Sequence, residues 1–230
     1  KKYSEEYKDV ACDGIYFQSF TELHSDSVGG VNVADAVIDL VNAEAGEIYK
    51  ITPDLKLLFG LHASSVKKDV EKFRQVDSRI SIIWEDMGAF PYHDSPDKLS
   101  GYEETKALNK KLMTLRDGGF GAVLKGNYRL DWSTFEHQQG RYVMGVSDKS
   151  FIKAKLEEKK PLLKKIQADW IKNAKYAKEL IKDFDENSLV TVLAEDGVFE
   201  ESISYPVALY AEMLWDADRS TEEIMQSVAQ

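Results

Sequence analysis

Carboxylates, imidazoles and aromatics gather at four places where an apolar run of the sequence gives way to a loop. Gln18, Thr21, Glu22 and His24 close the first run, 14–20, and His62 follows the second, 55–61. Glu85 and Asp86 follow the third, 79–84, while Lys125, Asn127, Asp131 and Trp132 stand at and beyond the end of the fourth, 120–125. The sharpest stretch reads Ile82-Ile83-Trp84-Glu85-Asp86-Met87-Gly88-Ala89-Phe90-Pro91-Tyr92-His93, an apolar strand running into an aromatic, two adjacent carboxylates, a glycine turn and an aromatic loop. Successive strand side chains face opposite ways, so one of Glu85 and Asp86 addresses a site and the other supports it, unless a bulge intervenes.

Carboxylates combined with aromatics suit carbohydrate. Cleaving a glycosidic bond usually takes two carboxyl groups flanking it, one kept protonated as general acid and the other acting as base or nucleophile. Glu22 and Glu85, two strands apart, are the expected catalytic pair, with Asp86 in support. Trp84, Phe90, Tyr92, Tyr128 and Trp132 offer flat apolar faces with polar edges, which match the faces and rims of a sugar ring, or else they pack a core. The expected substrate contacts are Gln18, His62, Trp84, Tyr92, His93, Lys125, Asn127 and Trp132.

Other chemistries leave weaker marks. His24, His62 and Asp131 follow the first, second and fourth runs, the arrangement a metal-dependent barrel hydrolase would use, yet no close ligand spacing occurs. No metal and no cofactor are expected. The phosphate loop, the nucleophile elbow and the dinucleotide fingerprint are all missing from the sequence. Gly118-Gly119-Phe120-Gly121 precedes a strand and reads as a turn into it. The single Cys12 has no partner for an internal disulfide and, just ahead of an apolar run, is expected to be a buried, inert thiol.

The elements that must position these residues follow from the rhythm of the chain. Its 230 residues suffice for one large domain or one and a half, and 43% hydrophobic with 30% charged residues exclude disordered and low-complexity classes. A net charge of -10 argues against nucleic acid or an anionic membrane as partner. No apolar run reaches the ~18 residues of a membrane helix, and no apolar signal core opens the chain. Because it begins at Lys1, cytoplasmic and processed, secreted locations both stay open.

Helix candidates at 33–45, 65–75 and 101–116 separate the apolar runs, with Val66, Val70 and Phe73 at i, i+4, i+7. That alternation predicts an α/β fold of parallel βα units. Four units in about 125 residues are half of a TIM-type (β/α)8 barrel. Residues 1–148 therefore read as a (β/α)4 partial barrel opening in a helix-like piece at 4–10, its first half supplied by an upstream domain or a second chain. The rival is an open four-stranded parallel sheet covered on both faces. A lone half barrel leaves two sheet edges unpaired, which invites dimerisation.

Residues 149–230 read as a helical C-terminal region. Leu163, Ile166, Trp170, Ala174, Ala177, Ile181 and Phe184 keep helical spacing behind Pro161. Residues 188–203 fit either a hairpin around Asp196-Gly197 or a short helix capped by Ser188. Pro206 stands where a helix to Trp215 would begin, and Ser220-Thr221-Glu222-Glu223 has capping-box spacing. Residues 149–182 hold 11 basic and 4 acidic groups, residues 183–230 hold 1 and 12, so the two segments are expected to pack together, although a basic helix could also meet an anionic ligand.

The strand that begins Asp13-Gly14 and ends Gln18-Ser19-Phe20-Thr21-Glu22 opens a segment, residues 13–145, that resembles the second half of a bacterial (β/α)8 glycoside-hydrolase-like protein. The region after it resembles the helical appendage behind the barrel in alpha-glucuronidase-type and hexosaminidase-type enzymes. The resemblance implies a hydrolase with carbohydrate as its partner. It also implies a gap, because one catalytic carboxylate of such enzymes commonly comes from the fourth strand, which a distal half would lack. The alternative from another class is a non-catalytic carbohydrate-binding or assembly module.

Overall fold

The computed structural model describes residues 12–19, 25–62, 66–85, 102–128, 177–195 and 200–229, with isolated positions elsewhere. The strands are β1 (Gly14–Gln18), β2 (Ser27–Val28), β3 (Val31–Asn32), β4 (Lys56–Leu61), β5 (Ile80–Trp84), β6 (Phe120–Tyr128) and β7 (Leu189–Glu195). Among the described residues the helices are α1 (Val33–Tyr49), α2 (Tyr102–Met113), α3 (Glu200–Trp215) and α4 (Thr221–Val228), residues 177–181 are also helical, and a 3-10 segment spans Val70–Gln75.

The apolar runs pair where their patterning predicts. β1, β4, β5, β6 and β7 lie side by side in chain order as one five-stranded sheet, with parallel register from β1 through β6. Each strand follows its predecessor without the reversal of order that makes the crevice of a doubly wound sheet. Leu57, Phe59 and Leu61 pair in register with Ile80, Ile82 and Trp84, so these six form one buried face. Phe59 stacks on Phe73 of the 3-10 segment, ring centroids 6.3 Å apart, which places the crossovers on that face.

Ion pairs join the described crossover segments between β1 and β6. Lys72 pairs with Asp35 of α1 at 2.9 Å, and Lys111 of α2 pairs with Glu71 at 3.3 Å. Asn32 caps α1, its Oδ1 accepting the amides of Ala34 and Asp35, while its Nδ2 donates to Asp69 at 3.0 Å. The strand starts are clamped as well. Asp77 takes a forked contact from Arg79, whose guanidinium lies 3.9 Å from the Tyr49 ring centre. The Arg79 guanidinium holds the Asp77 carboxyl below the usual carboxylate range. Arg116 donates to the Val76, Asp77 and Gly119 carbonyls.

Several expectations change. The segment 65–75 is not an α-helix: after turns at 66–69 its ordered part is 3-10, because Val70, Phe73 and Val76, all buried, repeat every three residues. The stretch at 188–203 is neither hairpin nor short helix. Leu189–Glu195 is a fifth strand of the sheet and α3 starts at Glu200, so the strand rhythm returns after residue 148. Pro206 accordingly lies inside α3 instead of opening it. Cys12 is exposed, not buried, since it precedes β1 and takes no place in the core. Between β1 and α1 an unforeseen hairpin, β2–β3, turns through Gly29 and Gly30, whose φ of 58° and 82° make the turn cheap only for glycine.

By compactness the chain divides into two units. One holds Lys1–Asp86, Thr105–Val123 and Phe184–Leu189; the other holds Met87–Glu104, Leu124–Asp183 and Val190–Gln230. Within the second, α3 packs on α4, and the capping box at Ser220 forms as its spacing predicts. Its basic and acidic segments meet, with Lys182 on Asp218 and Lys178 donating to the Arg219 carbonyl. Among the described residues no helix is long and apolar enough to cross a membrane.

Candidate functional site

Three of the four buried polar residues described in the chain stand just beyond the carboxyl ends of consecutive strands: Thr21 (0% exposed) after β1, His62 (8%) after β4 and Glu85 (4%) after β5. Burying such groups is costly unless structure or function requires it. Parallel α/β sheets bind ligands at this end, where the crossover loops converge.

Register sets the relationship between His62 and Glu85. Leu61 pairs with Trp84, and the Glu85 amide still donates to the Leu61 carbonyl at 3.0 Å, so the ladder runs one step past the strand ends. His62 and Glu85 are the next couple along it, on the face opposite the Phe59–Phe73 stack. From the β1 side, Thr21 Oγ1 accepts the His62 amide at 2.9 Å. Gln18 shares this face one step lower, in register with Gly60, and its Nε2 donates to the Tyr16 hydroxyl at 3.2 Å. Gly60 makes room for that hydroxyl, which stands where a side chain at 60 would begin.

The sequence-predicted residues divide three ways. Gln18, His62 and Glu85 share one face at one end of the sheet, with Thr21 tied to His62. Trp84 lies on the other face, 2% exposed and in register with Leu61 and Ala122, with its Nε1 bonded to nothing. Lys125 and Asn127 are backbone positions of β6 whose side chains fall outside the described residues. Glu22, Asp86, Tyr92, His93 and Trp132 lie outside them altogether, as do His24 and Asp131 of the metal alternative. Among the described residues no cluster of His, Cys, Asp and Glu could hold a metal ion.

What the residue types alone did not reveal is the role of Thr21, whose partner is 41 positions away in sequence. Its only local signal is a hydroxyl following an apolar strand. The arrangement offers a buried carboxyl after β5, a buried imidazole after the neighbouring strand β4, and an amide side chain at the end of β1. Such a set can position a polyhydroxylated ligand and exchange a proton with it. No family, no curated protein and no solved structure matches the chain.

Proposed function

We propose that this chain is a glycoside hydrolase or the distal part of one, with β1, β4, β5, β6 and β7 as consecutive strands of a partial (β/α)8 barrel. Glu85 carries the reading: a buried carboxyl at the ligand-binding end of a central parallel strand. The unreversed strand order is what a barrel segment requires. An upstream domain or a second chain completes the ring.

In this reading Glu85 is one member of the catalytic pair and Glu22, next to Thr21 in the sequence, is the other. One carboxylic acid protonates the departing glycosidic oxygen as its bond to the anomeric carbon breaks. The other carboxylate either attacks that carbon or removes a proton from the water that does. His62 and Gln18 hold the hydroxyls or a carboxylate of the sugar.

The test uses the natural, full-length protein with a panel of aryl glycosides and oligosaccharides, including uronic acid sugars. Wild type should release a sugar, and Glu85→Gln should lower turnover by about 10²–10⁴-fold with an unchanged melting temperature. Full turnover in Glu85→Gln overturns the assignment. Glycan binding without cleavage in wild type favours the non-catalytic module.

A further inference from the structure

We propose that Thr21 is a positioning residue of this site, acting through the backbone of His62; its kinetic consequence rests on the glycosidase reading, its geometry does not. The β1–β4 ladder ends at the couple Gln18↔Gly60, since β1 stops there. The next inward amide of β4's extension, that of His62, lies past the last couple, where a longer ladder would offer it a strand carbonyl. The side-chain oxygen of Thr21 takes that carbonyl's place at 2.9 Å, extending the ladder by one bond with a hydroxyl.

His62 is thereby held from both neighbours. Thr21 fixes its amide on one side, and on the other the Glu85 amide fixes the preceding carbonyl, that of Leu61, at 3.0 Å. The imidazole and the carboxyl then start from set backbone positions, which is what precise placement of reacting groups needs. Thr21 itself is fully buried, so no solvent competes for its hydroxyl. Glu22 occupies the very next position in the sequence.

Thr21→Val keeps the shape and deletes the acceptor, whereas Thr21→Ser keeps the acceptor and deletes a methyl. The first readout is the amide exchange and the imidazole resonances of His62, recorded by NMR on the full chain. Thr21→Val should expose the amide to exchange and move the imidazole signals, and Thr21→Ser should leave both near wild type. The second readout is kcat/KM on a glycoside that wild type cleaves, where Thr21→Val should lose roughly tenfold to a hundredfold, chiefly in kcat, and Thr21→Ser should recover most of it.

Unchanged His62 signals in Thr21→Val overturn the proposal, and so does equal loss in both variants, which would make the methyl's packing the cause. Should Thr21→Val not fold, Thr21→Ala replaces it in both readouts, with the same expected and overturning results. If wild type cleaves no glycoside, the proposed function falls, while Thr21 is still decided by the His62 signals.

Discussion

Asp77 donates its amide hydrogen to Oδ1 of Asn42 at 2.8 Å, while the same side chain's Nδ2 donates to the Gln75 carbonyl at 2.8 Å. One residue of α1 thus grips both sides of the turn that launches β5, and Glu85 follows directly on β5. The placement of the carboxyl at one end of the sheet begins with this clamp at the other.

Removing the clamp should loosen the sheet. Asn42→Ala deletes two hydrogen bonds, each contributing about 1 kcal/mol, so a loss of about 2 kcal/mol is expected by urea denaturation. Asn42→Asp keeps the acceptor for Asp77 and loses only the donor to Gln75, and should fall between. Equal stability of Asn42→Ala and wild type would remove the clamp from the argument.

Acid should undo part of the same region. Arg79 depresses the folded-state pKa of Asp77 below its unfolded value of about 3.9, so the stabilisation is present above that pH and is lost as pH falls through the folded value. Between about pH 5 and pH 2, wild type should therefore lose stability more steeply than Asp77→Asn, as followed by thermal melts across that range. Parallel curves for the two proteins contradict it.

β7 beside β6 leaves no room at Gly121. A Cβ there would run into the Leu189 carbonyl and lie 2.7 Å from the end of the Ile83 side chain. The backbone at Leu189 cannot yield as a flexible side chain can, so Gly121→Ala should cost about 1–3 kcal/mol or detach β7. Gly46, in α1 with nothing within 4 Å of an added Cβ, is the control: Gly46→Ala should be neutral or stabilising by up to about 1 kcal/mol. A harmless Gly121→Ala would mean that β7 does not pair there.

Trp84 separates packing from recognition. Buried on the crossover face with its Nε1 unpaired, it should tolerate Trp84→Phe at a cost of about 1–3 kcal/mol from lost volume, softened because a buried orphan donor disappears. Sugar affinity, measured by calorimetry, should stay unchanged. A selective loss of affinity with unchanged stability would restore Trp84 as a substrate contact.

How much of this was legible in the sequence depends on how local each cause is. The strand at Gly14–Gln18 and the strands at Lys56–Leu61, Ile80–Trp84 and Phe120–Tyr128 stand where their apolar runs predicted, because a strand's burial is written in its own side chains. The capping box at Ser220 was equally legible, since its two bonds close within four residues. Leu189–Glu195 was not, because Asp196-Gly197 offers a local hairpin that competes with a distant strand partner. Val66, Val70 and Phe73 keep a spacing that an α-helix and a 3-10 turn both satisfy, and only packing on Phe59 selects between them.

For the site, the sequence by itself determined which polar groups end the strands, since a break in apolar patterning marks each end. Tertiary structure alone decided how they are placed: that Glu85 continues the ladder past Leu61 beside the strand that leads to His62, that Thr21 serves the His62 amide as a strand carbonyl would, and that Trp84 is buried in register with Leu61. The physical reason is that register and strand order arise from contacts between segments tens of residues apart, and a one-residue slip would send every side chain to the opposite face.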